Sequence, residues 1–256
     1  MIFHYHNTPI HYQKQGRGSA IVLLHGFLES STMWNEIAPR MSKKNTVITI
    51  DFPGFGQSDP LAETFSMELL ASITSEILNL EKIQSALLIG HSMGGYVGLA
   101  FAALFPEKIK KLILLNSSPR KDSEERKGNR NRALAIIDKN KDAFVNMAIS
   151  NLFTNEERLH HTKAIQALKR EALQISGAAI KAAIIGMRDR TDTTAILKSF
   201  DGEKYIISGR LDPIIPHNDI VAISKETQTS LHTIESGHMS WLTNWNDIVR
   251  IVSLLK

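Results

Sequence analysis

Ser92 stands in Gly90-His91-Ser92-Met93-Gly94, a serine flanked by glycines in the pattern G-x-S-x-G. A serine hydroxyl is a poor nucleophile until a base takes its proton and hydrogen-bond donors hold the charge that develops on the substrate oxygen. A sharp turn from strand to helix would expose the hydroxyl for that purpose, and small neighbours let the backbone pass close to it. The pentapeptide alone is weak, arising by chance in roughly one chain of this length in ten. The weight lies in what accompanies it. His238, in Ser236-Gly237-His238, is the candidate base, and Asp212, in Ser208-Gly209-Arg210-Leu211-Asp212-Pro213, is the candidate acid that orients it. His25-Gly26-Phe27 follows an apolar run, so the backbone N–H groups of Phe27 and Met93 are the expected oxyanion donors. Together these groups describe acyl transfer through a covalent intermediate.

Such groups need a scaffold that brings distant segments together. Residues 1–6 and 10–15 alternate loosely around Asn7-Thr8-Pro9 and read as a hairpin. Short apolar runs at 20–24, 46–50, 86–89, 111–115 and 204–207 read as buried strands, with a less apolar one at 230–234. Helical patterns at 33–41, 66–80, 93–105, 217–224 and 246–255 separate most of them. This alternation predicts a doubly wound, mostly parallel sheet covered on both faces. All three candidates then fall at the carboxyl ends of strands, where such sheets carry their sites. Gly94, Gly98 and Ala102 give the helix after Ser92 one small face for close approach to the sheet.

The alternation breaks between 120 and 190, where helical patterns at 131–139, 141–152 and 156–174 occur without a convincing strand. The expected organisation is a core of residues 1–119 and 191–256 with a helical cap at 120–190. Phe144, Met147, Phe153 and Met187 are expected in the cap's own core, and Trp241 either walls the site or is buried. Lys and Arg between 120 and 132 are interleaved with Asp122, Glu124 and Glu125, which reads as a solvated helix. The other reading is a face that receives a carboxylate or a thioester-bound cofactor.

Composition excludes several classes. Lys and Arg number 30 against 26 Asp and Glu, a net +4 that is too small to argue for nucleic acid or a membrane surface. The absence of cysteine excludes disulfides and thiolate metal sites and suits a cytoplasmic setting. Residues 1–7 lack the features of a signal peptide. The uncharged stretch 85–105 is interrupted by glycines, so a membrane span is not expected. Adjacent His160 and His161 cannot share a helix face, and neither a metal nor a cofactor is expected. The other nine histidines are expected at the surface or locally satisfied, and oligomeric state is not readable.

The chain resembles the α/β-hydrolase fold superfamily, and specifically its capped serine hydrolases, over nearly its whole length. The residues that carry the likeness are His25-Gly26, Asp51-Phe52-Pro53-Gly54-Phe55-Gly56-Gln57-Ser58, Gly90 to Gly95, Gly209 to Pro216 and Gly237-His238. The resemblance implies an eight-stranded, mostly parallel sheet with helices on both faces and a helical cap. It gives 51–58 a structural role, with Phe52 or Phe55 beside the pocket. Haloalkane dehalogenases and epoxide hydrolases of this fold carry Asp where Ser92 stands, which disfavours both chemistries. Asn116 occupies the position from which some relatives supply the acid, leaving Asp212. The leading expectation is hydrolysis of a small carboxylic ester. Relatives also include carbon–carbon hydrolases, enol-lactonases, a lyase of menaquinone biosynthesis and small-molecule receptors.

Overall fold

In the computed structural model, which describes residues 1–61 and 64–254, the apolar runs become neighbouring strands. The chain runs β1 (Ile2–Tyr5), β2 (Thr8–Gln15), β3 (Ser19–Leu24), α1 (Ala38–Met41), β4 (Asn45–Ile50), α2 (Met67–Leu80), β5 (Ala86–His91), α3 (Met93–Leu104) and β6 (Ile109–Leu115). Helices α4 (Glu124–Ser150), α5 (Asn155–His160), α6 (Thr162–Ala172), α7 (Gly177–Asp189) and α8 (Thr194–Ser199) intervene before β7 (Glu203–Gly209). Then come α9 (His217–Thr227), β8 (Ser230–Ile234), α10 (Ser240–Thr243) and α11 (Trp245–Leu254). The last residue of the helix expected at 246–255, Leu255, lies outside the described residues.

The eight strands form one sheet in the order β1-β2-β4-β3-β5-β6-β7-β8. The pairs from β4 to β8 are parallel, while β1–β2 and β2–β4 are antiparallel. Period-two alternation sorts the side chains between two layers. Val22, Leu24, Ile48, Leu88, Leu112 and Ile206 join the apolar cluster that includes α2 and α3. Ile21, Leu23, Val47, Ile89, Ile113 and Ile207 face the cluster of α1 and α11. Because both faces are buried, the strands read as continuous apolar runs. From β3 the chain moves to β4 on one side and then returns to β5 on the other. That reversal opens a crevice at the strands' carboxyl ends.

Local details correct the sequence reading. The hairpin turns at His6 and Asn7, both at positive φ (45° and 68°), so Thr8 and Pro9 belong to β2. The helix expected at 33–41 is instead a 3₁₀ turn, Ser31–Trp34, followed by α1, because Pro39 cannot donate into a continuous ladder. The division expected between 131–139 and 141–152 is present within α4, at Asn140, whose backbone is non-helical (φ −158°, ψ 85°) and whose side chain caps the Ala143 N–H at 2.9 Å. The pattern at 156–174 breaks at His161, where Thr162 Oγ1 donates to the Arg158 and Leu159 carbonyls. Met147 is exposed rather than in a core, whereas Phe144, Phe153 and Met187 are buried.

The basic residues near 120–132 are not simply solvated. Arg126 and Arg130, with Arg190 from beyond α7, converge on the fully buried Asp122 carboxylate. No helix among the described residues is long and apolar enough to cross a membrane, and the uncharged stretch 85–105 folds as β5, a turn and α3.

Candidate active site

Ser92 occupies the single-residue elbow between β5 and α3, with φ 49° and ψ −111°, a conformation costly for any side-chain-bearing residue. The glycines around it make the elbow possible. A methyl group on Gly90 would fall 2.2 Å from the Gly94 carbonyl oxygen, and one on Gly94 would fall 2.3 Å from the Leu24 carbonyl oxygen. The elbow is held by the Ser92 N–H donating to the Leu115 carbonyl (3.0 Å) and by Ser117 Oγ donating to the Ser92 carbonyl (2.7 Å).

The three candidates, separated by up to 146 residues in sequence, meet at the carboxyl edge of the sheet. Ser92 Oγ lies 2.9 Å from His238 Nε2, and His238 Nδ1 lies 2.8 Å from Asp212 Oδ2. Opposite a carboxylate, Nδ1 carries the ring proton, so Nε2 is left to accept from the serine hydroxyl. Asp212 Oδ1 accepts the Ile214 and Ile215 N–H groups at 2.8 and 3.0 Å, and Oδ2 also accepts Asn116 Nδ2 at 3.0 Å. Burial raises the Asp212 carboxyl, but His238 and these donors outweigh it and leave the group below the usual carboxylate range. Asp212 is therefore ionised at neutral pH. Such an arrangement can move a proton from Ser92 to His238 while the carboxylate stabilises the imidazolium.

Met93 is the first residue of α3, where backbone N–H groups lack intrahelical acceptors and the helix dipole favours negative charge. Gly26 and Phe27 follow β3, whose Leu24 pairs with Gly90 of β5, so their loop adjoins the elbow. His25 shapes that loop. Its Nε2 accepts the Phe52 N–H at 3.0 Å and its Nδ1 donates to the Gly26 carbonyl at 2.7 Å, an arrangement that requires the neutral ring. Burial pushes the His25 ring pKa down, consistent with that state. Phe52 and Phe55 pack on the His25 ring at 4.7 and 5.4 Å, and Asp51 binds the Ser31 and Gln57 N–H groups, so loop 51–58 serves as a brace.

The sequence profile of the alpha/beta hydrolase fold family matches residues 19–244. The chain belongs to the α/β-hydrolase fold family. An esterase from Thermogutta terrifontis superposes on this α/β-hydrolase-fold chain with a TM-score of 0.91 at 26% identity, covering 97% of this chain and 93% of that one. A pimeloyl-[acyl-carrier protein] methyl ester esterase from Pseudoalteromonas atlantica is 28% identical over 227 residues, 82% of each chain. A Mycobacterium tuberculosis protein of no named activity is 36% identical over 102 residues, and that match spans about 30% of its length.

Several residues that position the α/β-hydrolase site carry no sequence signature. Asn116, at φ 45° after β6, donates to Asp212 and to the Gly237 carbonyl, while Ser240 Oγ donates to Asn116 Oδ1 at 2.5 Å. Glu157 Oε1 accepts the Gly237 N–H at 2.7 Å, and the His238 N–H donates to the Leu152 carbonyl at 3.3 Å. The segment between α4 and α5 therefore holds the histidine loop. The one sequence signal that could have marked Glu157 is the Thr154-x-x-Glu157 spacing of a capping box, which the sequence reading missed.

Proposed function

We propose that the protein is a serine hydrolase that cleaves a small carboxylic ester through an acyl-enzyme. The observation that carries this reading is the unbroken relay Ser92–His238–Asp212, with an ionised acid and a partly accessible serine on a strained turn. Ser92 Oγ attacks the ester carbonyl as His238 Nε2 takes its proton. The N–H groups of Phe27 and Met93 receive the oxyanion, and His238 returns the proton to the leaving alcohol. Water, deprotonated by His238, then attacks the acyl-serine, and His238 returns the proton to Ser92 Oγ as the acyl–oxygen bond breaks and the acid leaves. The Thermogutta terrifontis and Pseudoalteromonas atlantica relatives are named esterases, which supports an ester as the substrate class. Residues 120–190 act as the cap in this reading. Glu171 of α6 accepts Thr32 Oγ1 at 2.7 Å, beside the Gly26–Phe27 loop, and Glu157 holds the histidine loop.

The deciding experiment compares initial rates of wild type and Ser92→Ala on p-nitrophenyl esters from acetate to palmitate, with a methyl ester of a longer acid alongside. A Ser92-dependent optimum at short chains is expected. Negligible turnover by a folded wild-type protein across the panel overturns the ester reading and directs attention to lactones and vinylogous diketones.

A further inference from the structure

Two buried ionisable side chains beside Ser92 have no part in the relay. His91, the second residue of G-x-S-x-G, is fully buried, and Glu29, in the loop after β3, is only 1% exposed. His91 Nδ1 lies 2.9 Å from Glu29 Oε2, and its Nε2 lies 3.0 Å from the backbone oxygen of His238. A carbonyl oxygen only accepts, so Nε2 carries a hydrogen. Glu29 Oε2 already accepts the Gly26 N–H at 2.7 Å, and Oε1 faces Trp241 Nε1–H at 3.3 Å. A carboxylate so surrounded by donors calls for an N–H at Nδ1 as well.

We infer that Glu29 and His91 form a buried carboxylate–imidazolium pair that locks the Gly26–Phe27 loop, the nucleophile turn and the histidine loop into one register. Each loop contributes a contact: the Gly26 N–H, His91 itself, and the His238 carbonyl with Trp241. Gly26 is required by this packing, because a methyl group there would fall 2.5 Å from Glu29 Oε2 and 2.7 Å from His91 Nδ1. Isolated buried charges are unfavourable, but mutual attraction and added hydrogen bonds offset the desolvation when geometry is good. Burial lowers the His91 ring pKa, yet the Glu29 carboxylate, the His238 carbonyl and Asp212 together bring it above its ordinary value. Burial raises the Glu29 carboxyl, and His91, the Gly26 N–H and His25 together bring it below its ordinary value. The His238 ring centroid is 5.2 Å from that of His91. When His238 takes the serine proton, Glu29 and Asp212 flank the two positive rings.

Glu29 and His91 are positioning residues, and their effect on rate rests on the serine-hydrolase reading, whereas their charge state does not. Nitrogen-15 NMR of the histidine-labelled protein, with His91→Gln used to assign the signals, reads the pair directly. Both His91 nitrogens are expected in the protonated range at pH 7. One nitrogen at the unprotonated shift of a neutral ring overturns the pair. In Glu29→Gln the ring is expected to become neutral, and amide exchange at Gly26, Phe27 and His238 to quicken. Unchanged exchange overturns the locking role, whether or not the protein proves to be an esterase. On a turned-over ester, Glu29→Gln is expected to lower kcat roughly 10- to 100-fold with little change in KM. Loss of turnover in wild type, with the NMR result intact, would remove the hydrolase reading and leave the pair standing.

Discussion

Asn116 Nδ2 lies 3.0 Å from Asp212 Oδ2, the same oxygen that receives the His238 Nδ1–H at 2.8 Å. Asn116 thus fixes the direction of the acid's lone pairs, and through it the plane of the imidazole. A hydrogen bond to a buried charge contributes about 1.5–3 kcal/mol. Asn116→Ala is therefore expected to lower kcat roughly 10- to 100-fold. It also places alanine at φ 45°, strands Ser240 Oγ and leaves the Gly237 carbonyl with only the Ser236 hydroxyl, so the urea midpoint should fall too. Steady-state kinetics on a p-nitrophenyl ester and urea melts check both outcomes.

The elbow separates chemistry from stability. Ser92→Ala removes the proposed nucleophile and keeps the backbone, so the rate should fall about 10⁴-fold or more while the protein stays folded. Gly94→Ala does the opposite. Its new methyl group has rigid backbone 2.3 Å away, with no flexible side chain to yield. A loss of about 3 kcal/mol is expected, measured by denaturant unfolding.

Asp122 anchors the start of the helical segment by receiving Arg126, Arg130 and Arg190, while Arg126 also reaches the Ile214 carbonyl at 3.2 Å. Asp122→Asn leaves the inner guanidiniums without their counter-charge. The expected cost is about 3–5 kcal/mol, with faster amide exchange in α4 and α7 as the local readout.

Acid should unfold this protein through a definable set of carboxylates. Asp51, Asp122, Asp212 and Glu29 all sit below their ordinary values: each is raised by burial and lowered further by neighbouring positive groups or N–H donors. A group depressed in the folded state stabilises it fully above the unfolded pKa of about 4, and that stability is lost as pH falls through the folded value. The urea midpoint should therefore decline steeply below about pH 4, after a gentler loss that begins below about pH 6.5, where the buried neutral His25 ring resists the proton that the unfolded chain takes up. Asp122→Asn should show a shallower decline, because one of the four titrations is gone.

Glu157 joins α5 to the loop that carries His238. Its carboxylate takes the Gly237 N–H at 2.7 Å and the Thr154 N–H at 2.8 Å. Glu157→Ala removes a helix cap and an acceptor at once. The expected result is about 1 kcal/mol lower stability, a several-fold lower kcat, and faster exchange at 236–240. Unchanged exchange there would separate the helical segment from the histidine loop.

By itself the sequence determined what period and type encode. Short apolar runs specified buried parallel strands, because side chains on both faces must be apolar whatever their partners. The Gly-rich Gly90–Gly95 segment marked the elbow, because only small residues fit where backbone approaches backbone. That Ser92, Asp212 and His238 share one edge of the sheet was legible because each follows the carboxyl end of a strand, and that placement does not depend on side-chain detail. Breaks within helices were less legible. At Pro39 and His161 the apolar pattern runs on while a local bond or a missing N–H ends the ladder.

The tertiary structure decided which polar residues serve the site. Asn116 lies 96 residues from Asp212, Glu29 lies 62 from His91, and Glu157 lies 80 from Gly237. Each is an ordinary polar residue in its own segment and gains its role from a partner that only folding supplies. The same holds for charge. Asp122 and its arginines look like a solvated helix start in sequence, and become a buried network once α7 and the residues after it return beside α4. Periodicity records which side of an element is dry. Hydrogen-bond partners across loops leave no period, so only their three-dimensional meeting reveals them.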